Sequence, residues 1–281
     1  MERTPLCPAR LEILLVCTDS SPDSQGAMDG ALALAQACGS KIYLLQVLEF
    51  NPEFEAQAPE FVARREDKIH AYMESVKALT DQRGVPLEIR VRRGESAHEG
   101  IVEEALKIKP DMIIMGRRGR SRLFRLMMGN VTARVIGHAP FHILVVPKGA
   151  PLAFKKILSA SDGSPHSDAA WEEALFIARR VGSDLTALSV ARNDGELDAA
   201  RAIVDKLQAR AAAAGVGVAT LVLQGRPDEA IIQVAQKNRL DLLVLGAMGK
   251  TGLESLLMGS VTERVIAQAP CAVLVVKKLR A

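Results

Sequence analysis

Two segments of the chain repeat one glycine spacing: Gly-x-x-Gly, nine residues, then Gly and a small polar residue. One copy is Gly116, Gly119, Gly129 and Asn130; the other is Gly246, Gly249, Gly259 and Ser260. Glycines admit backbone angles closed to other residues and let amides approach an anion without a Cβ in the way. Asn130 and Ser260 fall where a helix should start, so each is expected to be an N-cap at the positive end of that helix. Free amides beside a helix N-terminus suit phosphate groups. Upstream of each loop an Asp follows a short apolar run, as Asp19 in Cys17-Thr-Asp-Ser-Ser-Pro22 and Asp162 in Ala160-Ser-Asp-Gly-Ser-Pro165. The plainer alternative is a glycine-rich turn joining strand to helix, with Ser260 and Asn130 only capping.

Better-known phosphate loops do not fit. Gly249-Lys250-Thr251 lacks the glycine a P-loop needs five positions earlier, where Val244 stands, and no Gly-x-Gly-x-x-Gly follows the first strand. The first loop adds Arg117, Arg118, Arg120, Arg122 and Arg125, either a solvated charged face or an attractor for polyanions through forked contacts. Phosphoryl transfer needs metal ligands and a residue that positions the nucleophile. Near the loops only the single Asp19 and Asp162 offer carboxylates. His70, His98, His138, His142 and His166 are scattered, with His98 and His166 read as exposed loop residues. The reading is a site that binds, with no catalytic residues and no metal ligands assigned.

The elements that must position these loops are also repeated. Gly116 to Gly246, Gly129 to Gly259 and Pro140 to Pro270 are all offsets of 130, whereas Asp19 to Asp162 is 143. The first copy therefore carries about a dozen extra residues, assigned to a loop or lid over 50–65. Each copy alternates short apolar runs with amphipathic stretches. Strands are expected at 13–16, 41–48, 87–91, 112–115 and 143–146, then at 157–158, 184–190, 218–223, 242–245 and 272–276. Helices are expected over 25–38, 66–83 and 97–107, then 167–181, 198–214 and 228–237, with a last one after each glycine loop. Strict alternation implies a parallel sheet covered on both faces, an α/β class, with ligands at the carboxyl ends of the strands. The join falls near 147–154, giving units 1–149 and 150–281. The terminal strands are apolar throughout, so a free edge is expected to pair, within the chain or in a homodimer.

Bulk composition sets outer limits. The chain has 281 residues, 48% hydrophobic and 25% charged, enough for a core in each copy. Aromatics are 4% and the net charge is +3, so neither base-stacking platforms nor a nucleic-acid partner is expected. No segment approaches the roughly 20 apolar residues of a spanning helix, which suggests a cytoplasmic protein without a membrane partner. Cys17, Cys38 and Cys271 are read as small core residues in a reducing compartment, and Cys7 shows no metal or redox spacing.

With both motifs in hand, the chain resembles the universal stress protein family over nearly its whole length, as a tandem pair. The resemblance implies two five-stranded parallel sheets of order 3-2-1-4-5, Rossmann-like, and binding of ATP or a related adenine nucleotide (AMP or ADP), with Mg²⁺ as a companion ion. It implies a nucleotide-dependent signalling role in stress and, at most, slow ATP hydrolysis. Carried over by position, Asp162 contacts the nucleoside and Val190 the adenine, while Gly246, Gly249, Gly259, Ser260, Val261 and Thr262 hold ribose and phosphates. In the first copy the matching residues are Asp19, Val47, Gly116, Gly119, Gly129, Asn130, Val131 and Thr132. Asn130 stands where the family has Ser or Thr, which marks the second copy as the more typical site.

Overall fold

The computed structural model describes residues 7–49, 59–117, 129–250 and 258–278. The shortest apolar runs become the inner strands: β1 (Ile13–Cys17), β4 (Met112–Gly116) and β5 (His142–Val146) in the first half. Their counterparts are β6 (Lys156–Ala160), β9 (Leu242–Gly246) and β10 (Ala272–Val276). Branched side chains fill both faces of such strands, which explains continuous apolar runs rather than alternation. Outward lie β2 (Lys41–Glu49), β3 (Leu87–Gly94), β7 (Asp184–Ala191) and β8 (Val218–Gln224). Eight α-helices are described: α1 (Gln25–Cys38), α2 (Pro59–Gln82), α3 (Ala97–Ile108), α4 (Asn130–His138), α5 (Pro165–Val181), α6 (Leu197–Ala213), α7 (Pro227–Lys237) and α8 (Ser260–Gln268).

Within each half the strands are parallel in the order 3-2-1-4-5, and the two sheets are joined into one of ten strands. The joint is antiparallel, pairing Val145 with Val273, Leu144 with Leu274 and Ile143 with Val275. All six side chains are at most 1% exposed. Burying one such side chain contributes about 1.5–3 kcal/mol, so a separated edge would be costly. One core layer lies between the sheet and α1, α2, α5 and α6, and the other is under α3, α4, α7 and α8.

Local chemistry sets the boundaries. Gly39 and Gly182 end α1 and α5 in the left-handed region, at φ 71° and 73°, where Gly carries no Cβ penalty. Asp111 and Asp241 pin the starts of the central strands: Asp111 accepts the amides of Glu12 and Ile13 at 2.6 and 2.8 Å, and Asp241 those of Lys155 and Lys156 at 3.0 and 3.1 Å.

Two expectations are corrected here. α2 begins at Pro59 and takes in half of the segment assigned to a lid; residues 50–58 lie outside the described residues. Pro at the first helical position has no amide to satisfy and starts a helix as readily as it breaks one. Cys38 is not an isolated core thiol either, since it forms a disulfide with Cys7 that ties the N-terminal segment to the end of α1. Cys17 and Cys271 are the free, buried thiols. Among the described residues no helix is long and apolar enough to cross a membrane.

Candidate functional site

β6 and β9 are neighbours in the second half, with Ser159 opposite Val244, so the turns leaving their carboxyl ends face each other. Asp162 clasps these turns together. Its Oδ1 accepts the Ser164 amide at 3.0 Å, and its Oδ2 accepts the Lys250 amide from the glycine loop at 2.7 Å. Burial pushes the Asp162 carboxyl up, but hydrogen bonds from Ser164, Lys250 and Ser167 outweigh it and hold the group below the usual carboxylate range. Gly249 is required by this clasp, because a Cβ there would lie 2.7 Å from Asp162 Oδ2. Gly163 turns the chain at φ 78°, its amide donating to Ser161 Oγ at 3.1 Å, and Ser164 Oγ caps α5 by accepting the Ser167 amide.

The last helix starts one residue earlier than a capping serine would require. Gly259 is the cap, with its amide on the Ala247 carbonyl at 2.9 Å, and Ser260 is the first helical residue; Gly129 and Asn130 stand in the same relation to α4. Neither Ser260 nor Asn130 acts as a side-chain cap, which corrects the sequence expectation. Glycine fills the cap, and among the described residues no side chain caps the first amides of α8. Thr262 hydroxyl is committed to the Gly246 carbonyl at 2.9 Å. Gly246 itself is demanded by packing, since a Cβ would lie 2.7 Å from the His166 carbonyl carbon at the start of α5. Gly116 does the same against Asp23 at 2.5 Å.

A cavity of about 370 Å³ opens between these turns. Asp162, Val190, Gly246, Gly249, Gly259, Ser260, Val261 and Thr262 all line it, so every second-half residue singled out in the sequence is brought together. The opposite wall comes from β7, the turn after it and α6, as Ser189, Arg192, Glu196, Ala199, Ala200 and Ile203, with Lys250 at the loop. Sequence reasoning missed this wall. It includes a pair of small residues, Ala199 and Ala200, on the face of α6 that borders the cavity.

In the first half Asp19 repeats the turn, with Oδ1 on the Ser21 amide at 3.0 Å. Val47 lies two residues before the end of β2, Val131 follows Asn130 in α4, and Thr132 is buried. Gly119, Arg118, Arg120, Arg122 and Arg125 lie outside the described residues. Arg117 crosses to the other half, donating to the Ala269 carbonyl at 2.5 Å and the Ile266 carbonyl at 3.3 Å at the end of α8. There the arginine serves a helix C-terminus, where a cation meets the negative end of the dipole.

The histidines also depart from expectation. His98 is a buried residue of α3, its Nδ1 2.5 Å from Ser96 Oγ and its ring 5.6 Å from His138. Burial and the nearby Arg134 hold it below the ordinary histidine value. It fills the place of Asp228, which is buried in the second half beside Arg226 and Arg264. His166 sits in the first turn of α5, half-buried and likewise lowered by burial, with Lys278 and Lys277 adding to it. Among the described residues no three His, Cys, Asp or Glu side chains gather closely enough to hold a metal ion.

The family model described as universal stress protein family matches residues 11–147 and again 153–277. The chain is 26% identical over 288 residues to a universal stress protein of Mycolicibacterium smegmatis, spanning 94% of this chain and 96% of that one. Universal stress protein MJ0531 of Methanocaldococcus jannaschii is 38% identical over 141 residues, which is 44% of this chain and 83% of its own length. The crystal structure of a universal stress protein from Archaeoglobus fulgidus shares the fold with a TM-score of 0.73 at 22% identity, over 94% of this chain and 98% of that one.

Proposed function

The chain belongs to the universal stress protein family, as a tandem of two of its domains, and we propose that its second half binds an adenine nucleotide, ATP or its ADP or AMP relatives. One observation carries the reading: the 370 Å³ cavity at the carboxyl ends of β6 and β9 is lined both by the Asp162 turn and by Gly249, Lys250, Gly259 and Ser260. That volume suits a small ligand, and a crevice where the strand order reverses is where open α/β sheets take one. Val190 and Ile203 offer apolar walls to a base, while the first amides of α8 and the Lys250 ammonium offer charge to phosphates. Mg²⁺ would enter with the phosphates, as their counter-ion.

The role we assign is occupancy rather than turnover: a cytoplasmic stress-signalling module whose bound nucleotide alters the surface around the crevice. Native mass spectrometry of the purified chain, with thermal shift in excess ATP and Mg²⁺, tests this. A copurified mass of ATP, ADP or AMP, or a rise in melting temperature, supports it. A ligand-free chain with no shift sinks it.

A further inference from the structure

The two halves place the same backbone around their crevices. Thr18 donates its amide to the Leu45 carbonyl at 3.0 Å as Ser161 does to Leu188 at 2.8 Å. The pairing of Cys17 with Leu45 matches that of Ala160 with Leu188. This register sets Ser20 over Gly163 and Gln46 over Ser189. Likewise Tyr72 precedes buried Met73 in α2 as Ile203 precedes buried Val204 in α6. At all three positions the first half carries the larger side chain. One turn earlier on the same helix face, Ile69 stands for Ala200.

These side chains are fastened to one another. Ser20 Oγ donates to Gln46 Oε1 at 2.6 Å, which spans from β2 to the Asp19 turn. The Ser20 amide donates to Thr18 Oγ1 at 3.0 Å, and that hydroxyl donates to Tyr72 Oη at 3.3 Å. Gln46 is 3% exposed, as enclosed as the Ser189 it replaces at 2%. In the second half the matching space is the α6 side of the cavity, lined by Ser189, Ala200 and Ile203. The rim changes sign as well: Glu49 stands where the second half has Arg192, and its carboxylate accepts the Ala97 amide at 3.1 Å. A polyphosphate arriving there meets an anion instead of a cation.

We propose that the first-half crevice is closed by its own side chains, Gln46, Ser20 and Tyr72 taking the nucleoside space, so that one chain holds one nucleotide. The proposal rests on the nucleotide reading of the second half. Its determinants are steric, in line with the cost of placing a ligand against filled, hydrogen-bonded space.

Isothermal titration of the full chain with ATP and Mg²⁺ reads the stoichiometry, with circular dichroism confirming the fold of each variant. The wild type is expected to take one equivalent. Moving the filling residues into the second half (Gly163→Ser, Ser189→Gln, Ile203→Tyr together) is expected to weaken ATP by at least about tenfold. The reverse exchange (Ser20→Gly, Gln46→Ser, Tyr72→Ile) is expected to admit a second equivalent. Two equivalents in the wild type overturn this proposal and leave the nucleotide reading standing, whereas none overturns both. A filled second half that keeps wild-type affinity, or an opened and folded first half that stays empty, shows that these side chains are not what decides. The filling variant carries the test if the opened chain does not fold.

Discussion

The Arg117 guanidinium of the first half donates to the Ala269 carbonyl, the C-terminal end of the helix whose first turn borders the second-half cavity. Across the seam Lys277 reciprocates. Its ammonium donates to the Ile136 carbonyl near the end of α4. Each half thus supplies a cation to the closing turn of the other half's last helix.

Replacing Arg117 by Met keeps most of the packing and removes those hydrogen bonds. The expected cost is about 1–2 kcal/mol, read as a lower urea midpoint at unchanged slope. Lys277→Met is expected to cost less, because burial already holds the Lys277 ammonium below its ordinary value. An Arg117→Met chain as stable as the wild type would remove the clamp from the account.

Glycines of the same motif separate by role. Gly246→Ala drives a methyl into the backbone of the first turn of α5, and Gly116→Ala into the Asp23–Ser24 backbone just before α1; each should destabilise by about 1–3 kcal/mol, with or without nucleotide. Among the described residues Gly259→Ala meets nothing nearer than Met248 Cα at 3.4 Å, and it should stay within about 0.5 kcal/mol. Differential scanning calorimetry on the three variants decides; equal losses would contradict the assignment.

The Cys7–Cys38 disulfide closes a loop with a sequence separation of 31, and reduction is expected to destabilise by up to about 3–4 kcal/mol. Thiol titration of the unfolded chain checks its presence. Without reductant only Cys17 and Cys271 should react, and all four cysteines should react after reduction. Four reactive thiols in unreduced chain would refute the bridge.

Acid should loosen the seam. His142 is buried and held below the ordinary histidine value by that burial, and its Nδ1 accepts the Lys277 amide at 3.1 Å. A folded value depressed below the unfolded one means that the unfolded chain binds the extra proton. The contribution is therefore complete above the unfolded value of about 6.5 and declines as pH falls below it. His98 and His166, also lowered by burial, act in the same direction. Melting temperature should drop between pH 7 and pH 5 more steeply in wild type than in His142→Asn. A parallel pair of curves would exclude His142 as a contributor.

Periodicity sufficed for the strands and most helices, because buried parallel strands leave continuous apolar runs and Gly39 and Gly182 mark helix ends. It failed at the start of α2, where Pro52, Pro59 and three acidic residues read as a loop although proline starts helices well. The second-half site was legible in its glycines and Asp162, which the repeat exposed twice. Its other wall was not. Ala199, Ala200 and Ile203 signal nothing until the register of α6 against β7 is known. Arg117 points away from its own loop for a related reason: only the antiparallel seam brings the end of α8 within its reach, and spacing along the chain contains no trace of that. Nor did spacing reveal that Cys7 and Cys38 meet, since two cysteines this far apart match no motif.

The antiparallel joint between β5 and β10 has a geometric corollary. Strands of the two halves run in opposite directions, so their carboxyl ends, and with them the two crevices, lie at opposite poles of one continuous sheet. A protein that docks over the Asp162 pole faces only that mouth, and the Asp19 pole points away from it. The duplicated chain therefore has two unlike ends: the Asp162 pole lined by small residues around its cavity, and the Asp19 pole where Ser20, Gln46 and Tyr72 are hydrogen-bonded into the turn.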